Sequence, residues 1–569
     1  MSADSNNGEA GAADILDLLN AALEHHRFER FEQAAEGFFK VLQAEPREIK
    51  ALYGLGMSLH RLDENEKAVE FVKDALERGY GGAQEHCNLG IIYLQLDRLD
   101  EAVECYKRAI ALDGNFVAGY FNLGNAYRDL KKPDDAIEAL HAAVTLKPDF
   151  PQAWNNLGLA MHDAGRFEEA LECYNNALNG KPDYAAAYLN MGNALGQMGR
   201  PDAAAVSFQK AIVLDRTLFE AHNNLGNVLK DLERFEAAAA CYEKVIQAEP
   251  ENFGAHKNLG IVRLVQGDFE GGWPEYSWRR RDPDDPVFRV RAYKQPLWDG
   301  EDLTGKTILA YPEQGLGDTL QFVRYLPMLR QTGAHVIFDA PLPMARLFKD
   351  LDGVDTMLQS GDTIPPFDFH ISLMELPRLF HTTLETIPAG GAYLKADDGL
   401  IGDWAERLGQ KQDPKQGLRV GFVWGGNPDH ANDRNRSIDP ELFTPLVEAP
   451  GVEAFSLLVG RDGEAEHVFG DAIRDLAPQL TDFSETAAAI ANLDVVISVD
   501  TSVVHLAGAL GARVWTLLPF NPDWRWMMEG DASPWYPTMR LYRQARKKTW
   551  ESVLERVAED LAELGGNTG

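Results

Sequence analysis

A chain of 569 residues exceeds what one hydrophobic core supports, so roughly three to four domains are expected. Hydrophobic residues at 45% and charged residues at 25% are ordinary for a globular protein. The 88 acidic against 55 basic side chains give a net charge of -33, which disfavours nucleic acid and anionic bilayers as partners.

The opening MSADSNNGEAGAA has neither a basic segment nor an apolar run, and residues 1–14 read as a disordered tail on a chain expected in the cytoplasm. Val495 to Phe520, the most apolar region, is interrupted by Asp500, His505 and Arg513, which fits two buried strands around a helix better than a membrane span. No integral membrane segment is expected. Of the four cysteines, Cys105, Cys173 and Cys241 are separated by multiples of 34 and so share one repeated position, as small buried hydrophobes would. Cys87 lies outside that register.

Residues 15–286 carry an internal repeat. Gly56, Gly90, Gly124, Gly158, Gly192, Gly226 and Gly260 recur every 34 residues, and Ala34 through Ala238 keep the same period. Small residues at these positions let paired helices approach closely, and Pro46, Pro148, Pro182 and Pro250 fall where second helices end. The pattern resembles the tetratricopeptide repeat, with about eight units stacked into an all-α superhelix. Asn88, Asn122, Asn156, Asn190, Asn224 and Asn258 each precede a repeat glycine by two residues. An amide both donates and accepts, so such a column can grip an extended polypeptide, and a protein acceptor in the repeat groove is the partner this implies. The alternative is that these amides bond to neighbouring helices or to water. A repeat superhelix with such a ladder is similar to that of the O-GlcNAc transferases.

After Glu270 the repeat decays into a stretch rich in Trp, Arg and Pro whose aromatics are suited to docking the last repeat onto the next domain, with residues 287–305 as a linker. Asp282, Pro283 and Asp284 spell an Asp-x-Asp string, but no apolar strand precedes it to fix two carboxylates; no metal site is assigned to it. From Lys306 onward, short apolar runs alternate with helical segments, the pattern of parallel α/β sheets. Thr307 to Tyr311, His335 to Ala340, Asp355 to Gln359 and Phe367 to Leu373 read as strands of a first lobe, residues 306–400. Leu418 to Trp424, Val452 to Val459, Asp494 to Asp500 and Arg513 to Pro519 read as strands of a second, residues 418–545. A weak linker near Asp397 to Gly417 joins them, and residues 546–569 form a last helix expected to fold back across both lobes.

Pro312 to Arg330 reads as a Gly-rich turn followed by an amphipathic helix, placing Asp318 in the crevice outside the strand ends where α/β proteins hold chemistry. GlyAspThrLeu at 317–320 with Pro327, and AspThrSerValValHisLeuAlaGlyAlaLeuGly at 500–511, resemble the two signature regions of the family 9 glycosyltransferases, which include the lipopolysaccharide heptosyltransferases. The resemblance covers roughly residues 306–545, and with the repeat array it is similar to soluble bacterial protein glycosyltransferases, including those that modify flagellin. It implies a GT-B fold of two Rossmann-like lobes, a nucleotide-sugar substrate bound by the second lobe, inverting transfer to Ser or Thr of a protein, and neither metal nor cofactor. A heptosyltransferase-like enzyme acting on glycolipid, and a non-catalytic scaffold, are the rival readings.

In that resemblance Asp318 matches the aspartate taken as general base, which suits a hydroxyl too weakly acidic to attack unaided; Asp is equally a favoured residue at helix starts. Glu313 is the reserve base. Gly425, Gly426 and Asn427 end the first strand of the second lobe and leave backbone amides open to a phosphate, while Arg434 and Arg436 are placed to clamp it. Heptosyltransferases usually offer a lysine in this part of the site. Asp500, Thr501 and Ser502 open a helix whose N-terminus suits an anion, Asp500 orienting the loop or bonding sugar hydroxyls. The family has a histidine at the position of His505, which supports a donor-side role against the alternative of a packed core residue. Pro519 to Pro537 carries Trp524, Trp526, Trp535 and Tyr536, which either stack on a sugar or pack a cover loop, and Arg525, within reach of an anionic sugar.

Overall fold

The computed structural model describes residues 5–282, 293–359, 361–409, 417–428, 433–461, 463–547 and 549–566. The chain divides into two compact units, Met1–Val228 and Leu229–Gly569. Among the described residues no helix is long and apolar enough to cross a membrane.

The first unit is a succession of antiparallel helix pairs, such as Pro151–Asp163 with Phe167–Gly180. A Cβ on Gly158 would lie 2.5 Å from the Tyr174 ring, so the glycine sets how closely the pair packs. Each first helix closes through a left-handed residue, and these also recur every 34 residues: Glu29, Asp63, Asp97, Lys131, Gly165 and Gly199 in this unit, Glu233 and Gly267 in the next. The first helix, Ser5–Arg27, takes in most of the segment expected to be a disordered tail.

The boundary between the units, Val228 to Leu229, falls inside the repeat array, so the terminal repeat belongs to the α/β unit. Phe269, Trp273 and Tyr276 of the helix Phe269–Tyr276 enter the large apolar core of that unit. Trp273 donates its Nε1–H to the Thr382 carbonyl at 2.9 Å. Arg279, buried just beyond, bonds both oxygens of Glu313 and reaches Glu375 at 2.8 Å. Part of the expected linker is packed. Trp298 and Leu303 are buried, and Trp298 N–H donates to the His370 carbonyl at 2.9 Å. Residues 283–292, which include Pro283 and Asp284, lie outside the described residues.

Two parallel sheets follow. The first has the order β3-β2-β1-β4, built from β1 (Thr307–Tyr311), β2 (His335–Asp339), β3 (Thr356–Leu358) and β4 (Phe369–Ser372). The second comprises β5 (Leu418–Val423), β6 (Val452–Ser456), β7 (Ile473–Asp475), β8 (Val495–Val499), β9 (Val514–Leu518) and β10 (Met539–Arg543) in the order β10-β9-β8-β5-β6-β7. Val420 of the central strand β5 pairs with Ala454 on one side and Val495 on the other, and every residue of β5 is buried, as both-face burial in a parallel sheet requires. In each sheet the strand order reverses beside the first strand, between β1 and β4 and between β5 and β8. Ligands bind at such reversals.

The expected interlobe linker contains a helix, Asp398–Leu408, capped by Asp397. It packs on the helix Phe483–Ile490 of the second lobe, and buried Trp404 donates its Nε1–H to Glu485 at 2.7 Å. The last helix, Glu551–Gly566, buries Val553, Leu554, Val557 and Leu561 against β10 and the helix Thr444–Val447; these contacts are with the second lobe.

Candidate functional site

A cavity of about 810 Å³ opens where the two reversal points meet, a size suited to a nucleotide-sugar. From the first lobe, Gln314 to Asp318 line it. From the second come Gly425 to Pro428, Arg436, Leu457 to Gly460, Leu480 to Phe483, Asp500 to Val503, His505, Asp523 and Arg525. The helix Leu316–Phe322 packs directly on the helix Ser502–Ala509, bringing the two signature segments together.

Asp318 is the third residue of its helix. Its Oδ2 accepts the Gly315 N–H at 2.9 Å, so the carboxylate does close the helix N-terminus, and its Oδ1 pairs with the Arg525 guanidinium. The two roles weighed for Asp318 coexist, because the side chain is 18% exposed and still lines the cavity. Burial raises its pKa above the ordinary carboxylate value; Arg525 draws it back and Asp523 pushes it up again. Glu313, the reserve base, does not line the cavity. It is buried, bonded by Arg279 and Ser372, and serves as the anion of a closed ion cluster.

Gly317 is a glycine for a reason its neighbours make clear: a Cβ there would sit 2.8 Å from Cδ2 of His505. The His505 ring is buried, its Nδ1 shares a hydrogen bond of 2.9 Å with the Tyr536 hydroxyl, and its face stacks on Trp526 at 5.3 Å. Burial, with Arg525 and Arg324 nearby, holds its pKa well below the ordinary value, so the ring is neutral. Its Nε2 stands 4.0 Å from Asp500. The histidine is both packed and at the cavity wall. Asp500 itself is pushed up to about 6, by burial first and by Asp523 second.

Thr501 caps the helix Ser502–Ala509 in extended conformation without using its side chain; the Val504 N–H turns back to the Thr501 carbonyl at 3.2 Å, which leaves the N–H groups of Ser502 and Val503 without an intrahelical acceptor. Arg436 lines the cavity and donates to the Asp500 carbonyl at 2.8 Å, whereas Arg434 is exposed and outside the lining. The expected two-arginine clamp is therefore reduced to Arg436. The Gly426 N–H is taken by Ser437 Oγ at 3.1 Å, so this amide is not open to a phosphate. Arg461 lies against the same turn, donating to the Gly426 carbonyl at 3.0 Å and to Asp433 at 3.1 Å; its guanidinium carbon would be 2.7 Å from a Cβ on Gly425. Sequence reasoning missed Arg461, which follows β6 in an unremarkable loop. Asp318, Asp482, Asp500 and Asp523 outnumber Arg436 and Arg525 on the described lining, and Arg525 is spent on Asp318 and Asp523. Trp524, Trp526, Trp535 and Tyr536 are all buried, which is the packing alternative.

The asparagine ladder is committed within the array. Asn88 donates to the Tyr53 hydroxyl, Asn122 to Cys87 Sγ, Asn156 to Asn125, Asn190 to Asn155 and Asn224 to Asn193, each partner being in the preceding repeat. Asn258 also has a partner. The alternative of bonding to neighbouring helices thus describes what these side chains do, and each donation leaves the amide a second N–H.

Residues 463–535 match the family model for glycosyltransferase family 9 (heptosyltransferase). Tetratricopeptide repeat models match residues 49–78, 90–131, 124–165, 162–199, 185–218 and 219–252. Protein FlbA of Caulobacter vibrioides is 26% identical over 337 residues, which are 54% of this chain and 54% of that protein. The chain thus spans about half the length of the curated relative it matches. Similar solved structures include MamA, at 26% identity with a TM-score of 0.28 over 28% of this chain and 95% of that one. YrrB, a TPR protein with an unusual peptide-binding site, is 23% identical with a TM-score of 0.30 over 33% and 97%. The C-terminal part of a TPR protein from Cytophaga hutchinsonii is 16% identical with a TM-score of 0.37 over 42% and 99%. The chain carries tetratricopeptide repeats, and a segment of its second lobe is of the family 9 glycosyltransferase type.

Proposed function

We propose that the chain transfers a sugar from a nucleotide-sugar to a Ser or Thr hydroxyl of a protein held by the repeat array, with flagellin the first acceptor to test. One observation carries this reading: a single cavity joins a partly buried carboxylate from the first lobe to a helix N-terminus from the second. Asp318 removes the hydroxyl proton as the oxygen attacks the anomeric carbon from the face opposite the nucleotide, which inverts that carbon. The bond from that carbon to the phosphate oxygen breaks, and the charge left on the nucleotide falls to the amides of the helix Ser502–Ala509 and to Arg436. These groups are fixed before the reaction, which is why no metal is assigned a step; transfer should persist in a chelator. Asp500 and neutral His505 stand beside the helix start, placed for sugar hydroxyls.

The test compares intact protein masses in source cells carrying the wild-type chain or Asp318→Asn. A protein that loses a discrete sugar mass in the variant identifies the acceptor and the donor class together. If every protein keeps its mass, the protein-acceptor reading fails and glycolipid becomes the acceptor to examine.

A further inference from the structure

Three consecutive residues of the turn Trp524–Trp526 touch three different parts of the second unit. Trp524 is buried against the terminal repeat, its ring perpendicular to Trp273 at 5.3 Å and within 6.5 Å of Phe269 and 6.1 Å of Tyr276. Arg525 reaches the first lobe, donating through Nε to Gln321 at 2.7 Å and through Nη2 to Asp318. Trp526 stacks on His505 of the second lobe. The segment is pinned on both sides. Asn521 donates to the Asp231 carbonyl at 2.7 Å, and Arg543 donates to the carbonyls of Met527 at 2.9 Å and Gly530 at 2.8 Å.

We infer that Arg525 is the positioning residue for the Asp318 carboxylate, and that the terminal repeat sets Arg525 through Trp524. The inference rests on the base role proposed for Asp318. Gly315 N–H on Oδ2 and the guanidinium on Oδ1 hold the carboxylate at two points, fixing its plane and leaving the remaining lone pairs for an acceptor hydroxyl. The guanidinium is itself fixed, by Gln321, by Asp523 at 2.7 Å and by the Trp524 ring 4.4 Å from its carbon. A shift of Trp273 therefore moves Trp524 and, on the next residue, the group that orients the base. A protein seated on the last repeats would act on Asp318 by this route.

The other charged or titratable groups facing Asp318 are Asp523 on the same loop as Arg525, Glu313 on its own loop, Tyr276 of the terminal repeat, and Asp500 and His505 of the second lobe. Of these near neighbours Arg525 is the cation, and burial works against it. The full chain, labelled with carbon-13 at aspartate carboxyls, reports the Asp318 titration directly, its resonance identified by loss in Asp318→Asn. In Arg525→Gln the midpoint should rise by about 1 to 3 pH units, and Arg525→Lys should restore most of it. Trp273→Phe, which keeps the core apolar while changing the ring that seats Trp524, should move the midpoint upward by a smaller amount; it also serves if Arg525→Gln does not fold. A midpoint unchanged in folded Arg525→Gln overturns the positioning role, and one unchanged in Trp273→Phe overturns the part assigned to the repeat. Survival of the sugar mass in Asp318→Asn would instead refute the base reading while leaving the titration result standing.

Discussion

Replacing Asp500 with Asn should stabilise the second unit, and the gain should depend on pH. Burial and Asp523 push the Asp500 carboxyl from its ordinary 3.8 up to about 6. Between those values the folded state holds a proton that the unfolded chain has released, so wild-type stability falls as pH rises through the window and is level above it. At about 1.4 kcal/mol per pH unit, ionised Asp500 costs the fold about 3 kcal/mol at pH 8. Asn has nearly the same shape and no charge, so Asp500→Asn should gain up to about 3 kcal/mol at pH 8 and almost nothing near pH 4. Ten of the eleven tryptophans lie between Leu229 and Gly569, so urea unfolding followed by tryptophan fluorescence reads this unit selectively. Equal stability of variant and wild type at both pH values would refute the reasoning, as would a gain that is larger in acid. The expected counterpart is loss of transfer, since a carboxylate kept at a cost is one the site uses.

Gly317→Ala drives a methyl group toward a His505 ring that Tyr536 and Trp526 hold in place; the expected cost is about 1–3 kcal/mol in chemical unfolding, with transfer reduced because the two signature helices must part. Lys131→Gly relieves a left-handed closure that its neighbours Gly165 and Gly199 already make with glycine, and should stabilise the array by about 1 kcal/mol, seen as a higher melting temperature of the first unit. A fragment of residues 229–569 should fold, whereas one of residues 287–569 should aggregate. The shorter piece loses Phe269, Trp273 and Tyr276 from its core and strands buried Glu313 and Glu375 without Arg279, a loss of about 3–5 kcal/mol for the broken pair alone. Gel filtration of both fragments checks this.

The repeat was legible because its signal is geometric: helix pairs meet at the same glycine and alanine every 34 residues, and larger side chains cannot substitute there. Strands buried on both faces read as unbroken apolar runs, which is why β1, β5, β8 and β9 were plain. The two strands that escaped notice, β7 and β10, are the edges of the second sheet. β7 has three residues, and in β10 Arg540 and Arg543 are partly exposed. Loops at strand ends pointed to Asp318, Asp500 and Thr501, which line the cavity, since chain reversal in a parallel sheet decides where a crevice forms. Their partners were not legible. Arg525 is 207 residues from Asp318 and Arg279 is 34 from Glu313, and no local pattern encodes such pairings. The asparagine spacing was real, but a 34-residue period also places each amide beside a group 31 or 35 residues back, where five of them donate.

The repeat glycine meets the residue sixteen positions on: Gly90 faces Tyr106, Gly124 faces Leu140, Gly192 faces Phe208. At Gly260 the same offset brings the backbone nitrogen of Tyr276, not a side chain, to 2.4 Å from where a Cβ would be. Up to that point each repeat is interchangeable with its neighbour, and a unit of 34 residues can be gained or lost by duplication without altering any contact of the cavity. The terminal repeat has no such freedom, because its rings are part of the apolar core of the α/β unit. Reach is thus a property that can drift at the N-terminal end while the geometry of the reaction stays fixed, so lineages sharing this chemistry are expected to differ in repeat number and to agree in the sequence from Phe253 to Arg281.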